Sequence, residues 1–271
     1  MNKKVKEIIN FCEEVVDSGR DFTELHAVSK GHSERVIETP WVASVLSKYP
    51  NSDLLDIGFT MASLDYLGLL FMLNDKLGIN IDALDIVKPE RVMGRYPEEW
   101  QERVKQQNIT IADVREYRCT KQYDFITCIS TIEHVGFDSA TYDDPETAFA
   151  RCKNSKDVKM LREESVDENV LDTFSSLLRS GGSALISVPV GKGEPVLLKD
   201  SLGFYCAQWE YDGESFKKLI SHSDFSVAQE RFFQECDGLW EEVPSLSHIN
   251  NKTGELKEHA EACALLLLVK K

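Results

Sequence analysis

Asp56 and Gly58 close a short apolar run, Leu54-Leu55-Asp56-Ile57-Gly58, and small residues then lead through Ser63 into a helical pattern over residues 64–77. A carboxylate at the C-terminal end of a strand can accept hydrogen bonds from a ligand, and a glycine lets the backbone pass close to one. The stretch predicts a buried parallel strand, a tight turn and a helix lying against that strand. It fits a nucleotide-like binding turn, with an ordinary strand-to-helix turn as the alternative. Three later apolar runs also end in residues able to do chemistry. Asp85 is followed by Ile86, Asp113 by Val114, and Ser130 by Glu133 and His134. In doubly wound sheets such strand ends share one edge, where ligands bind.

The elements that must position these residues alternate along the chain. A helix is predicted over residues 1–20, with Val5, Ile8, Cys12 and Val15 at helical spacing, and a second over 34–48, with Pro40 near its start or at a kink. After the first strand and its helix, which Gly78 stops, further strands are expected at 79–86, 109–112, 123–130 and 183–188. Helices are expected at 97–107, 158–178 and from Tyr211 through Ile220, while 137–156 is polar and 191–211 reads as a loop. Two last strands, 225–233 and 262–269, are expected to pair as an antiparallel, hairpin-like edge around an irregular insert. No internal repeat or low-complexity linker divides the chain. The expected organisation is an N-terminal helical extension or lid over residues 1–50 and one α/β domain over 51–271.

Composition narrows the function classes. The 271 residues carry a formal net charge of −15, which opposes binding to nucleic-acid backbones and anionic membranes. No apolar run approaches a membrane span, and Met1-Asn2-Lys3-Lys4 leads into an amphipathic pattern instead of a signal-peptide core. The seven cysteines include no C-x-x-C pair, and Cys128 and Cys263 lie inside apolar runs, as buried thiols do. A cytoplasmic protein without membrane insertion or nucleic-acid partner is expected.

Taken in order, these motifs resemble the class I S-adenosylmethionine-dependent methyltransferases over roughly residues 50–271. Leu54-Leu55-Asp56-Ile57-Gly58 matches the family's first-strand motif. Asp85 matches the acidic residue ending strand two, Asp113 the acidic residue near the adenine, and Leu178-Arg179-Ser180-Gly181-Gly182 the glycine turn before strand five. The resemblance implies an α/β, Rossmann-like sheet of seven strands, mostly parallel with the last antiparallel, and helices on both faces. It implies S-adenosyl-L-methionine as cofactor, a small-molecule or glycan acceptor, and no metal, because Ser130 stands where some relatives carry a metal-binding acid. A homo-oligomer is left open. Within the family the chain resembles a branch associated with sugar and surface-polysaccharide biosynthesis. Arg35-Val36-Ile37-Glu38 with Pro40-Trp41, Ile132-Glu133-His134-Val135-Gly136, 187–194 and Trp209-Glu210-Tyr211-Asp212 carry that finer likeness.

The resemblance implies a role for each site residue. Arg35 would meet the cofactor's carboxylate, and Asp56, Gly58 and Ser130 would line its pocket. Asp85, beside Ile86, would accept both ribose hydroxyl hydrogens, or else cap the following helix. Asp113 and Val114 would hold the adenine, or Asp113 would be a plain turn residue. His134 would take a proton from an acceptor hydroxyl, oriented by Glu133; the alternative is a histidine bonded to backbone beneath the cofactor. Asp138 and the acidic run 143–146 could bond sugar hydroxyls or form a solvated loop, and Trp209 and Tyr211 could wall a sugar face or pack in the core. Two departures stand out. Thr60 and Ala62 replace glycines of the first turn, and the interval from Asp56 to Asp85 is long, as an extended first helix would make it. A non-catalytic methyltransferase-like subunit therefore stays open, as does a nicotinamide-dependent nucleotide-sugar enzyme, though no G-x-G-x-x-G follows the first strand.

Overall fold

A computed structural model describes residues 1–26, 29–137, 154–199, 205–250 and 259–271. Its helices are α1 (Lys3–Ser18), α2 (Arg35–Leu46), α3 (Leu64–Leu77), α4 (Glu98–Gln106), α5 (Val166–Leu177) and α6 (Gly213–Ile220). Its strands are β1 (Asp53–Ile57), β2 (Asn80–Asp85), β3 (Ile109–Ile111), β4 (Tyr123–Ile129), β5 (Leu178–Pro189), β6 (Glu194–Lys199), β7 (Tyr205–Glu210), β8 (Phe225–Cys236), β9 (Leu239–Val243) and β10 (Ala262–Lys270).

The main sheet has the order β3-β2-β1-β4-β5-β10-β8-β9. Strands β1 to β5 pair in parallel, and β10 is antiparallel to both β5 and β8. This is the mostly parallel, Rossmann-like arrangement expected, with one strand more than the seven anticipated. The eighth is β9, which lies inside the insert between β8 and β10 and pairs with β8 from Phe232↔Val243 to Cys236↔Leu239. The closing strands β8 and β10 pair antiparallel as expected, but not as the edge of the sheet: β10 slots between β5 and β8, and β9 lies at the rim.

Side-chain parity explains how both faces are covered. Successive residues of a strand point to opposite sides, so an unbroken apolar run can feed two cores. Leu54, Phe125, Leu185 and Leu265 join the core packed by α1, α2, α3 and α4. Their neighbours Leu55, Ile126, Ile186 and Leu266 join the core packed by α5 and α6. α2 is buried on almost every side, Pro40 included, as a helix wedged among α1, α3 and the sheet must be.

Two expectations change. The helix predicted from residue 158 starts only at Val166, after Ser165 in a left-handed conformation (φ 59°). The preceding residues are held over the turn after β4, because the Arg162 guanidinium donates to the carbonyls of Ile132 and Val135 at 2.8 and 2.9 Å and pairs with Asp167. The loop expected over 191–211 contains the β6–β7 hairpin, running from Glu194↔Glu210 to Lys199↔Tyr205. Apolar side chains on both arms, Val196, Leu197, Leu198 and Ala207, are the signal for it. Among the described residues no helix is long and apolar enough to cross a membrane, and the six described cysteines are free.

Candidate active site

Between β1 and β4 the strand order reverses, and ligands bind at the carboxyl ends of the strands beside such a reversal. A cavity of about 660 Å³ opens there, within the usual range for small-molecule sites. It is lined by Arg35, Gly58, Asp85, Ile86, Asp113, Val114, Ser130 and His134, eight of the ten residues singled out in the sequence. Asp56 and Glu133 lie behind its wall.

Gly58 directly follows β1 with φ 91°, a conformation that favours glycine. A Cβ there would come within 2.8 Å of Thr131 Cγ2, so the space that glycine leaves is filled by the turn after β4. The residues that follow form a 3₁₀ turn, Phe59–Met61, with no further positive φ. Thr60 and Ala62 therefore need no glycine freedom. Thr60 N donates to Asp85 Oδ2 at 2.8 Å, and Tyr96 Oη donates to Thr60 O at 2.7 Å. The turn is locked from two sides.

Asp85 is the last residue of β2 and also accepts from Val87 N at 2.8 Å. Burial raises its carboxyl to about 6, against the pull of the Val87 and Thr60 N–H groups. Each oxygen keeps lone-pair capacity for another donor. Beside it Ile86 is 43% exposed, an apolar side chain set in the cavity wall. Beside the β2 end, just after β3, Asp113 accepts from Arg115 N at 2.9 Å and from its guanidinium, which also pairs with Glu163. Burial opposes ionisation of Asp113, but the Arg115 bonds outweigh it and hold the carboxyl below the usual range.

Asp56 is one residue inside β1, on the face of Leu54, and is wholly buried. Its Oδ1 accepts from Thr127 Oγ1 at 2.6 Å and Tyr66 Oη at 2.7 Å. Burial lifts its carboxyl to about 7 in spite of these bonds. It holds the floor beneath the cavity.

The opposite end is assembled from α2, the turn after β4, and β7. Arg35 Nη1 donates to the buried Glu38 Oε2 at 2.7 Å, and Ser130 Oγ donates to Glu38 Oε1 at 2.7 Å. His134 Nδ1 lies 2.8 Å from Ala207 O. A carbonyl can only accept, so Nδ1 carries the proton and neutral His134 presents its Nε2 lone pair. Burial lowers the His134 pKa, with the charges of Arg35 and Arg162 acting in the same direction and the Ala207 bond against it. Glu133 is buried, with its Oε1 3.9 Å from His134 Nε2, and burial raises its carboxyl well above the usual range.

The sequence does not point to Thr131, to the Tyr96–Thr60 bond, or to Tyr205, Cys206 and Ala207, which the β6–β7 hairpin brings to the wall. Tyr211 packs in the second core and the partly buried Trp209 against it; Tyr211 Oη donates to Asp167 at 2.8 Å. Asp138 and the acidic run 143–146 fall outside the described residues.

No protein-family profile and no curated protein matches this sequence. Among solved structures, the chain is similar to the N-methyltransferase NodS from Bradyrhizobium japonicum, with 12% identity, 88% of this chain and 96% of that one covered, and a TM-score of 0.49. A Burkholderia thailandensis 1,6-didemethyltoxoflavin-N1-methyltransferase gives 14% identity, coverage of 100% and 91%, and a TM-score of 0.48. An S-adenosylmethionine-dependent methyltransferase from Clostridium acetobutylicum gives 10%, coverage of 99% and 99%, and 0.47. At these identities and scores the likeness transfers no residue role, substrate or cofactor to this chain.

Proposed function

We propose that this chain is a class I S-adenosylmethionine-dependent methyltransferase acting on a small acceptor through a hydroxyl group. One observation carries the reading. A single cavity at the reversal of strand order sets a buried carboxylate and an exposed apolar residue, Asp85 and Ile86, opposite an arginine and a neutral histidine of defined tautomer, Arg35 and His134.

The residues present fit the cofactor. Asp85 would accept from the ribose hydroxyls through charge-assisted bonds, and Ile86 with Val114 would pack on the adenine, with Asp113 at its edge. Gly58 and Ser130 would line the middle of the site above Asp56, and Arg35 would pair with the amino-acid carboxylate. S-adenosylmethionine, when bound, supplies a methyl group on a sulfonium that an acceptor oxygen can attack. His134 Nε2 accepts the proton that the acceptor hydroxyl gives up, and the Ala207 carbonyl keeps that lone pair available. Glu133, buried beside it with its carboxyl raised well above the usual range, supports the turn that carries the imidazole. In this reading residues 1–50 form an extension that closes the Arg35 end of a methyltransferase-like domain spanning 51–271. A sugar or glycan precursor is the acceptor class we favour, on the sequence likeness alone, and the cytoplasm, whose reducing conditions suit the free described cysteines, the place of action.

The test is turnover, followed as release of S-adenosylhomocysteine from S-adenosylmethionine with a panel of sugars and nucleotide sugars. Because the His134 pKa is lowered, the basic form prevails from below pH 6.5 upward, so the rate should rise with pH below that value and level off by neutrality. His134→Ala should cut turnover by roughly 10²–10⁴-fold and leave S-adenosylhomocysteine affinity unchanged. Weakened cofactor binding with turnover preserved at saturation would move His134 into the binding site instead.

A further inference from the structure

Glu38 stands one helical turn beyond Arg35 on α2 and is wholly enclosed. It contributes no surface to the cavity, yet its carboxylate is shared between two residues that do. Oε2 accepts from Arg35 and Oε1 from Ser130, each at 2.7 Å. One oxygen thus serves the helix and the other the sheet, across 92 residues of sequence.

Both partners need holding. Ser130 directly follows β4 with φ 44°, a left-handed conformation uncommon for a residue with a Cβ. Such backbone persists where surrounding bonds over-determine it, and here the serine is bonded at both ends. Its hydroxyl donates to Glu38, and its N–H donates to Ser187 Oγ on β5 at 2.9 Å. Arg35 is a long side chain whose guanidinium carries five N–H donors. A flexible cation in a cavity wall loses rotamer freedom when a ligand fixes it, and a partner that fixes it beforehand removes that cost. Glu34, Asp65 and Glu133 also act on Arg35 electrostatically, but Glu38 is the carboxylate hydrogen-bonded to it among the described residues. Burial, and with it the charge of Glu38, raises Glu34 to about 7.

We propose that Glu38 is a positioning residue: it presets the Arg35 guanidinium and the left-handed Ser130 turn to receive the carboxylate end of an amino-acid-bearing nucleoside. The proposal rests on the cofactor reading above. It differs from a role confined to tying α2 to the sheet, since loss of a plain structural tie would weaken all ligands alike.

Two nucleosides separate these roles by calorimetry on the full chain. S-adenosylhomocysteine carries the amino-acid end, and 5′-methylthioadenosine keeps the nucleoside and thioether without it. Glu38→Gln retains an oxygen acceptor but removes the charge beside Arg35. S-adenosylhomocysteine affinity should fall about 10–100-fold, the loss of a charge-assisted contact, while 5′-methylthioadenosine stays within about twofold. Ser130→Ala should reproduce the selectivity at smaller size, about three- to tenfold. Ser130→Gly, which adopts positive φ without restraint, should recover part of that loss. Equal losses for the two nucleosides, or unchanged S-adenosylhomocysteine affinity in both Glu38→Gln and Ser130→Ala, would overturn the proposal. Wild-type protein that binds neither nucleoside would instead overturn the cofactor reading beneath it. If Glu38→Gln does not fold, the two Ser130 variants, at a partly exposed turn, decide the matter by the same criterion.

Discussion

At one end of the cavity Asp85 with Ile86 and Asp113 with Val114 arrive as adjacent pairs, each delivered by the end of one strand of the parallel sheet. At the other end Arg35, Ser130, His134 and Ala207 come from three separate segments, α2, the turn after β4 and β7, joined by hydrogen bonds that span 92 and 73 residues. The first end is fixed by strand direction, because the edge of a parallel sheet places its terminal residues side by side. The second exists only once α2 and the β6–β7 hairpin have packed. Substitutions at the first end should therefore act through lost ligand contacts, and those at the second through lost arrangement.

The largest effect should come from beneath the strand-built end, at Asp56. Its folded pKa, about 7, lies above the ordinary 3.8, so the folded chain holds a proton that the unfolded chain releases between those values. The stability contributed is fully present below about pH 4 and lost as pH rises through about 7, up to a ceiling of about 4 kcal/mol. Asp56→Asn removes this dependence. Denaturant unfolding of both proteins should show the variant gaining on the wild type between pH 4 and pH 7. A constant difference across that window would mean the carboxyl is not buried as described.

Gly58→Ala probes the seam between the two ends, where the β1 turn meets Thr131. A left-handed alanine crowding that side chain should cost about 2–4 kcal/mol in thermal unfolding. Thr131→Ala in the same chain should restore the packing part of the loss, leaving the backbone part of about 1 kcal/mol. Additive effects of the two substitutions would argue against the close approach.

Asp85→Ala sharpens the contrast with Glu38. It should weaken S-adenosylhomocysteine and 5′-methylthioadenosine together, by about 1.5–3 kcal/mol, because both carry the ribose. Since the Asp85 pKa is raised to about 6, wild-type affinity for either nucleoside should also decline as pH falls through that value and the carboxylate gains a proton. If Asp85→Ala spares 5′-methylthioadenosine, the ribose is not at β2.

Most of the strand-built end is legible in the amino-acid sequence. Asp85 and Asp113 stand where apolar runs stop, and those runs are strands with Ile86 and Val114 beside the cavity. Asp56 looks the same and is not, although its parity holds the clue. It precedes Ile57 within β1 and shares the face of Leu54, so α3 covers it and Tyr66 reaches down to its carboxylate. The assembled end is legible as residue types alone. Arg35, Glu38, Ser130 and His134 all stand out by their chemistry, but nothing local joins Glu38 to Ser130 or His134 to Ala207.

The sequence by itself determined the alternation of strands and helices, the two-faced burial of the sheet and the identity of the residues at the carboxyl ends of its strands. These follow from periods of two and 3.6 residues, which a chain displays wherever one side of an element must meet a core. Only the tertiary structure decided that β10 enters between β5 and β8, that Gly58 makes room for Thr131, and that His134 presents Nε2 while Glu38 holds both Arg35 and Ser130. Those outcomes rest on the distance and direction between groups far apart in the chain. A hydrogen bond forms only when its two ends are brought within about 3 Å, and packing, not local sequence, sets that separation.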